Sequence, residues 1–326
     1  MSAFWTSKRV LVTGATGFVG HRVVRALQQR DADVTILLRD WDPCSELIRS
    51  GLVDSCRVVH GVLEAYSDVK RALNESETEV VVHLGAQAIV GAANRSPRAT
   101  FESNIRGTYN VLEACRIHAD LVRSVVIASS DKAYGPCDAL PYTEETPLEG
   151  RHPYDVSKSC ADLLTQAYWH TYQLPVAIAR CGNIYGGGDL HWSRIVPGTV
   201  RSLIRGEAPV IRSDGTFTRD YVYVEDIVEA YLLLAESVAT GKVAGEAFNF
   251  GPEQPISVLE LVDAIRLVMG CEDLEPVILN RASAEIRDQT LCSEKAQQLL
   301  DWRPKFSLME GLRRTVQWYQ EHLRAP

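Results

Sequence analysis

Arg9–Gly20 reads RVLVTGATGFVG. The stretch opens as a short β-branched, apolar run, the composition of a buried strand. Glycines follow at 14, 17 and 20, a G-x-x-G-x-x-G spacing at the point where the strand gives way to helical periodicity. Val19, Val23 and Leu27 form one apolar stripe of that helix. At such a junction glycine permits a tight turn, lets backbone N–H groups approach a pyrophosphate, and lets the helix lie close to the sheet. Many strand–helix turns carry two glycines, so the pattern gains its meaning from what surrounds it.

Outward from this turn, strand and helix alternate. DVTILLR, RVVHGVL, EVVVHLGA and SVVIASS read as strands; VKRALNES and RATFESNIRGTYNVLEACRIH read as helices. The continuous apolar character of EVVVHLGA is that of a strand covered on both faces. Alternation of this kind implies right-handed βαβ units and an α/β, Rossmann-type doubly wound parallel sheet. After AIARCGNIYGGGD the texture changes: RIVPGTVRSLIRGE, SVLELVDAIRLVMG and LMEGLRRTVQWYQEHL are amphipathic helices, and RDYVYVEDIVEAYLLLAES is a short strand followed by a helix. The chain is therefore expected to carry a dinucleotide-binding domain over 1–178 and a smaller C-terminal α/β substrate lobe over 179–326, with interleaving of segments allowed.

The 326 residues suffice for one large α/β domain or two intimate lobes. Hydrophobic residues make up 46% and charged residues 23%, an ordinary soluble composition. Lys plus Arg number 34 against 42 Asp plus Glu, a net charge of −8, which argues against nonspecific nucleic-acid binding. The eight cysteines are scattered without C-x-x-C or metal spacing, and read as reduced thiols of a cytoplasmic protein with no metal. No signal peptide or membrane span is expected.

Two further stretches bear on chemistry. Tyr154 and Lys158 stand four residues apart on one helix, so phenol and ammonium share a face. A neighbouring cation lets a tyrosine act as a base well below its usual pKa of about 10. IASSDKAYGP, Ile127–Pro136, ends a strand on two serines and then sets an acid, Asp131, beside a base, Lys132. This is the carboxyl edge of the sheet, where α/β folds bind ligands.

These motifs, in this order, resemble the extended short-chain dehydrogenase/reductase superfamily over nearly the whole chain. The resemblance implies a nicotinamide cofactor on Gly14, Thr16, Gly17, Phe18, Val19 and Gly20, with HLGAQ (Leu84, Ala86, Gln87) and Asn104 beneath it, and Tyr154 and Lys158 at the nicotinamide ribose. The second strand ends ILLRD, placing Leu38 where NAD-preferring members often carry Asp. Arg39 is suited to a 2′-phosphate and Asp40 to a ribose hydroxyl, so NAD and NADP both stay open, with Arg39 tipping the reading to NADP. The segment Arg180–Gly186 and RDYVYVED, Arg219–Asp226, resemble members acting on nucleotide sugars.

Within that superfamily, Ser130 matches the hydroxyl that works with the tyrosine. Hexose 4,6-dehydratases place an acid after this hydroxyl, because they expel a hydroxyl as water. Ser-Asp-Lys, with CGNIYGGGD, resembles the cytidine-linked glucose 4,6-dehydratases, which implies Asp131 as acid, Lys132 as base at C5, and CDP-glucose as the favoured substrate, with guanosine- and uridine-linked sugars left open. Lys132 needs a depressed pKa for that role; the alternative is that it orients Asp131 or binds phosphate. For the substrate, the resemblance implies Asn183, Arg219 and Arg287 on the diphosphate and nucleotide. Asp189 is a candidate hydroxyl partner, Arg194 a weaker phosphate partner, and Trp192 a stacking surface or a core residue. A nucleotide-sugar epimerase using the same Tyr and Lys is the second reading, and a non-catalytic protein on this fold the third. A homodimer through the RATFESNIRGTYNVLEACRIH helix and the Tyr154 helix is the expected assembly.

Overall fold

A computed structural model of the chain describes residues 3–281 and 285–324. Six strands, β1 (Arg9–Thr13), β2 (Asp33–Leu38), β3 (Arg57–His60), β4 (Val80–His83), β5 (Ser124–Ala128) and β6 (Val176–Cys181), join Ala247–Phe250 in one sheet. Its order is Ala247–Phe250, β6, β5, β4, β1, β2, β3, and every pairing is parallel. From β1 the chain runs one way through β2 and β3, then returns to β4 on the other side. The reversal opens a crevice at the carboxyl ends of β1 and β4, the place where such sheets take ligands.

The two faces of β1 show why the strand is apolar throughout. Val10 and Val12 pack with Val23, Leu27 and Leu234 from the helices Gly20–Gln28 and Val224–Ala239. Leu11 points the other way, into a layer with Leu73, Val111 and Leu112 from the helices Tyr66–Glu75 and Gly107–Ile117. Successive side chains leave a strand on opposite faces, so a strand with helices on both sides has no polar face to spare.

The smaller lobe has its own core, in which Leu261, Ile265, Leu312, Val316 and Tyr319 from the helices Val258–Met269 and Leu308–Arg324 meet Val196, Val200 and Leu203 from Ile195–Ile204. Ser257 and Glu260 start Val258–Met269 with a reciprocal capping box. The lobes interleave. The 178/179 division lies inside β6, and Ala247–Phe250 returns from the second half to the edge of the large sheet. Among the described residues no helix is long and apolar enough to cross a membrane.

One expected helix is not uniform. The stretch 98–118 runs as Pro97–Phe101, a π-helical turn Glu102–Arg106, and Gly107–Ile117. The extra residue per turn sits at Asn104, whose side-chain amide brackets the backbone of Gln87: Oδ1 accepts from Gln87 N at 2.7 Å and Nδ2 donates to Gln87 O at 3.1 Å. Insertions of this kind commonly mark functional regions.

Candidate active site

A cleft of about 1130 Å³ runs from the glycine turn across the ends of β4 and β5 to the smaller lobe. A single small-ligand pocket seldom exceeds about 1,000 Å³, so the cleft has room for two ligands end to end.

At the first end, the chain turns at Gly14 with φ +72°, and Gly17 N donates to Gly14 O at 3.0 Å. A Cβ on Gly14 would stand 2.7 Å from Gly85 N, and one on Gly20 would collide with the Gly14 carbonyl oxygen. Both glycines are required by packing: the turn, the β4 loop and the helix start are pressed together, leaving backbone to face the cleft. Behind them runs a buried polar chain. Gly85 N donates to Thr13 Oγ1 at 3.1 Å, Thr13 Oγ1 and His83 Nδ1 are 2.8 Å apart, His83 Nε2 and Thr108 Oγ1 are 3.2 Å apart, and Thr108 Oγ1 donates to Asn104 O at 2.6 Å. Thr108 spends its one hydrogen on Asn104, so His83 must donate from Nε2 and accept from Thr13. Burial, reinforced by the charge of Lys158, pushes His83 down to about 3, consistent with this neutral tautomer.

Thr16, Gly17, Phe18, Val19, Gly20, Leu84, Ala86 and Gln87 all line the cleft. Asn104 does not. It is 2% exposed and acts from behind, holding Gln87 and donating to Ser157 Oγ at 2.9 Å. Asn104 was expected at the cofactor; in this structure its side-chain amide is bonded to Gln87 and Ser157. At the far edge, Arg39 and Asp40 line the cleft but pair with each other at 2.6 Å. The residues suit a dinucleotide. The glycine cradle has no space for side chains, and Ser129 Oγ, buried on the cleft wall, lacks a partner among the described residues.

The chemical end gathers around β5. Its last residue, Ala128, accepts a hydrogen bond from Lys158 Nζ at 2.6 Å. Ser130 Oγ donates to Asp131 Oδ1 at 2.8 Å and accepts from Lys132 N at 3.3 Å. Proline begins the helix Pro153–Tyr172, and four residues separate Tyr154 from Lys158 so that the ammonium stands 6.0 Å from the centre of the phenol ring.

Burial dominates the titration of this group. It lowers Lys158 to about 8, opposed by Cys181 and Asp162. It lowers Lys132, with Asp131 and Asp155 raising it and Arg219 lowering it further. Tyr154 departs from expectation: burial pushes its phenol above the ordinary value, opposed by the charge of Arg194. A bond from Ser130 also lowers it, while the charges of Asp131 and Asp155 raise it.

The sequence missed Asp155. It lines the cleft at 2% exposure, beside Tyr154 in the first turn of the helix, and burial raises its carboxyl against the opposing charges of Lys132 and His152. Its position next to the tyrosine was the available signal.

On the substrate side, Asn183, Asp189, Arg194 and Arg219 reach the cleft wall. Asp189 is already engaged within the chain: Oδ2 pairs with Arg194 Nη1 at 2.9 Å and Oδ1 accepts from His191 N at 3.1 Å. Arg194, expected as a weaker phosphate partner, is held on the cleft wall by this pair. The buried guanidinium of Arg219 donates to the carbonyls of Thr218 at 2.7 Å, Arg287 at 2.6 Å and Ile286. Arg287 is placed otherwise than expected. Its side chain is 66% exposed, lies by Asp288 and Thr216, and does not line the cleft; only its carbonyl takes part. Trp192 belongs to the lobe core, tilted on Tyr319 at 5.7 Å with the Arg201 guanidinium 4.8 Å from its ring.

Comparison with known proteins agrees with this geometry. Residues 10–251 match the model of the NAD dependent epimerase/dehydratase family. The chain is 29% identical to the CDP-glucose 4,6-dehydratase of Salmonella typhimurium, over 98% of this chain and 93% of that protein. Among solved structures, the UDP-glucose 4-epimerase of Thermotoga maritima, with UDP-glucose, superposes with a TM-score of 0.88 at 29% identity, covering 97% of this chain and 99% of that one. The dTDP-glucose 4,6-dehydratase of Streptomyces venezuelae, with NAD bound, gives 0.86 at 29% identity over 96% and 97%.

Proposed function

From the premise that the chain belongs to the NAD dependent epimerase/dehydratase family, we propose that it is a nucleotide-sugar 4,6-dehydratase, with CDP-glucose the favoured substrate. The observation that carries this reading is the contact of Ser130 with Asp131, with a buried Lys132 beside them and Tyr154 and Lys158 in the same cleft. Epimerisation needs a base and a hydroxyl; losing water also needs an acid for the departing oxygen and a base for the adjacent carbon.

Nicotinamide, when bound, is the acceptor of the C4 hydride and later its donor to C6. Tyr154 takes the C4 hydroxyl proton, assisted by Ser130, and the C4 ketone so formed acidifies the C5 hydrogen. Lys132, whose pKa burial and the charge of Arg219 lower, removes that proton. The electron pair forms the C5–C6 double bond as the C6–O bond breaks, and Asp131 protonates the oxygen that leaves as water. Lys132 then returns its proton to C5. Arg194 and Arg219 supply cations for the diphosphate.

NAD is the cofactor we assign. The Streptomyces venezuelae relative carries NAD, and Asp40, in contact with Arg39 at the cleft edge, suits a ribose hydroxyl. We assign the large sheet to the dinucleotide and the smaller lobe to the nucleotide sugar. A second copy of the chain is the proposed partner, docking on the exposed Tyr109 and Ile117 of one helix and Leu163 and Tyr172 of another. Light scattering giving a monomer would remove that assembly.

The epimerase reading stays second, supported by the superposition on the UDP-glucose 4-epimerase. Mass spectrometry after incubation with CDP-glucose, then its GDP, UDP and dTDP counterparts, with NAD or NADP, separates the two. Loss of one water supports the dehydratase. An isomer of unchanged mass makes the protein an epimerase.

A further inference from the structure

Gln289 lies 157 positions from Lys132 in the chain, yet its Oε1 accepts a hydrogen bond from Lys132 Nζ at 3.0 Å. An ammonium has donors only, so the contact fixes which end of the amide faces it. The other end, Nε2, is buried and has no partner among the described residues. Gln289 is 1% exposed. A buried glutamine that serves only the fold has both ends of its amide bonded. This one is engaged through its oxygen, and by the charge of Lys132.

The backbone under Gln289 is fixed. Gln289 N donates to Thr218 O at 3.1 Å, Leu291 N donates to Asp220 Oδ2 at 2.7 Å, and the neighbouring carbonyls of Ile286 and Arg287 accept from Arg219. The charged groups facing the Lys132 ammonium are Asp131 from its own turn, Asp155 from the Tyr154 helix, Arg219 from the smaller lobe, and Glu285 from the segment that carries Gln289. A carboxylate in the place of Gln289 would hold the ammonium and also stabilise its charge. A neutral amide oxygen directs it while stabilising that charge much less.

We propose that Gln289 is the positioning residue for Lys132: its amide oxygen orients the ammonium in the elimination site, and the late segment 285–292 is thereby a working part of that site. The inference rests on the dehydratase reading, in which Lys132 handles the C5 proton.

The test is a double-mutant cycle on the full chain with CDP-glucose and NAD, using Gln289→Met and Gln289→Glu alone and in a Lys132→Met background. Water loss, cofactor reduction and the pH profile are read separately. Gln289→Met is expected to lower kcat for water loss by about tenfold or more, with KM and cofactor reduction kept within about twofold. Gln289→Glu, nearly the same size, should move the pH limb governed by Lys132 upward, because a carboxylate stabilises the ammonium. With Lys132→Met in place, neither substitution should slow the reaction further. Equal losses in both backgrounds, or an unmoved limb in Gln289→Glu, would overturn the proposal. The glutamate variant carries the test if the methionine variant does not fold. A wild-type chain that isomerises sugars without losing water defeats the dehydratase reading instead; the same cycle, read on isomer formation, then decides whether Gln289 acts through Lys132.

Discussion

Replacing Asp131 by Asn separates the two halves of the proposed reaction. Asn keeps the size of the side chain and an oxygen to accept from Ser130 Oγ, which now stands 2.8 Å from Asp131 Oδ1. It cannot release a proton to a departing hydroxyl. A positioned general acid contributes about 10²–10⁴-fold, so water loss should slow by that factor, about 3–5 kcal/mol of barrier. The oxidation step should respond differently. The charge of Asp131 pushes Tyr154 up and also raises Lys132. Without it both groups fall, so the phenol deprotonates more readily and the lysine is more nearly neutral. Oxidation at C4 should survive within about threefold, and its pH limb should move to lower pH. The assay mixes enzyme, NAD and nucleotide sugar, follows nicotinamide absorbance for the first step, and follows product mass for the second. The expected result is reduced cofactor accumulating with an unreleased 4-keto sugar. If water loss stayed within about threefold of wild type while oxidation was intact, Asp131 would not be the acid.

Asp162→Asn tests the scaffold beneath the site: Arg180 Nε and Nη2 meet the two Asp162 oxygens at 2.7 and 2.9 Å, with both side chains almost fully buried. Leaving that guanidinium without its counter-charge should cost about 3–5 kcal/mol, a fall of about 4–7 °C in Tm for a chain of this length; calorimetry showing less than about 2 °C would contradict it. Arg39→Ala should leave NAD affinity unchanged, because NAD carries no 2′-phosphate for the guanidinium to meet; a selective loss of NADP binding in a titration would restore the 2′-phosphate role. His83 gives a pH prediction. Its folded pKa of about 3 lies below the unfolded value near 6.5, so the unfolded chain binds the extra proton between them. The stability associated with neutral His83 is complete above pH 6.5 and is lost as the pH falls towards 3, at up to about 1.4 kcal/mol per pH unit. His83→Gln should flatten the acid limb of a denaturant-midpoint profile relative to wild type, and parallel limbs would refute the buried neutral imidazole.

Features encoded over a few residues were legible from the chain. The glycines of GATGFVG, the four-residue step from Tyr154 to Lys158, and the contiguous Ser130, Asp131 and Lys132 need only a strand, a helix and a turn to bring them into place. Asn104 and Arg287 were placed in the right region, while the side-chain bonds they make within the chain had no local signal. Spacing locates a residue on an element, while its hydrogen bonds depend on which neighbour arrives first: Gln87 for Asn104, Asp288 and Thr216 for Arg287. The return of Ala247–Phe250 to the large sheet and the bond from Lys132 to Gln289 had no local signal. Both are set by how the second half folds back on the first.

The same distinction bears on the chemistry. Burial pushes the phenol of Tyr154, in the first turn of its helix, above its ordinary value, which makes the phenolate harder to form. The opposing groups come from outside that helix. Ser130 stands at the end of β5, and Arg194 belongs to the smaller lobe, where Asp189 holds it and Tyr319 in turn donates to the Asp189 carbonyl at 2.6 Å. Lys132 follows the same rule, since Arg219 and Gln289 both come from the second half of the chain. In the proposed reaction the larger part of the chain supplies the groups that exchange protons, and the smaller lobe contributes charges and contacts around them. A substitution at Asp189 should therefore act on the pH limb of Tyr154 as well as on KM: Asp189→Asn leaves Arg194 with its charge uncompensated, strengthens its pull on the phenol, and should shift that limb to lower pH. An Asp189→Asn enzyme with raised KM and an unmoved limb would mean that Arg194 serves binding alone.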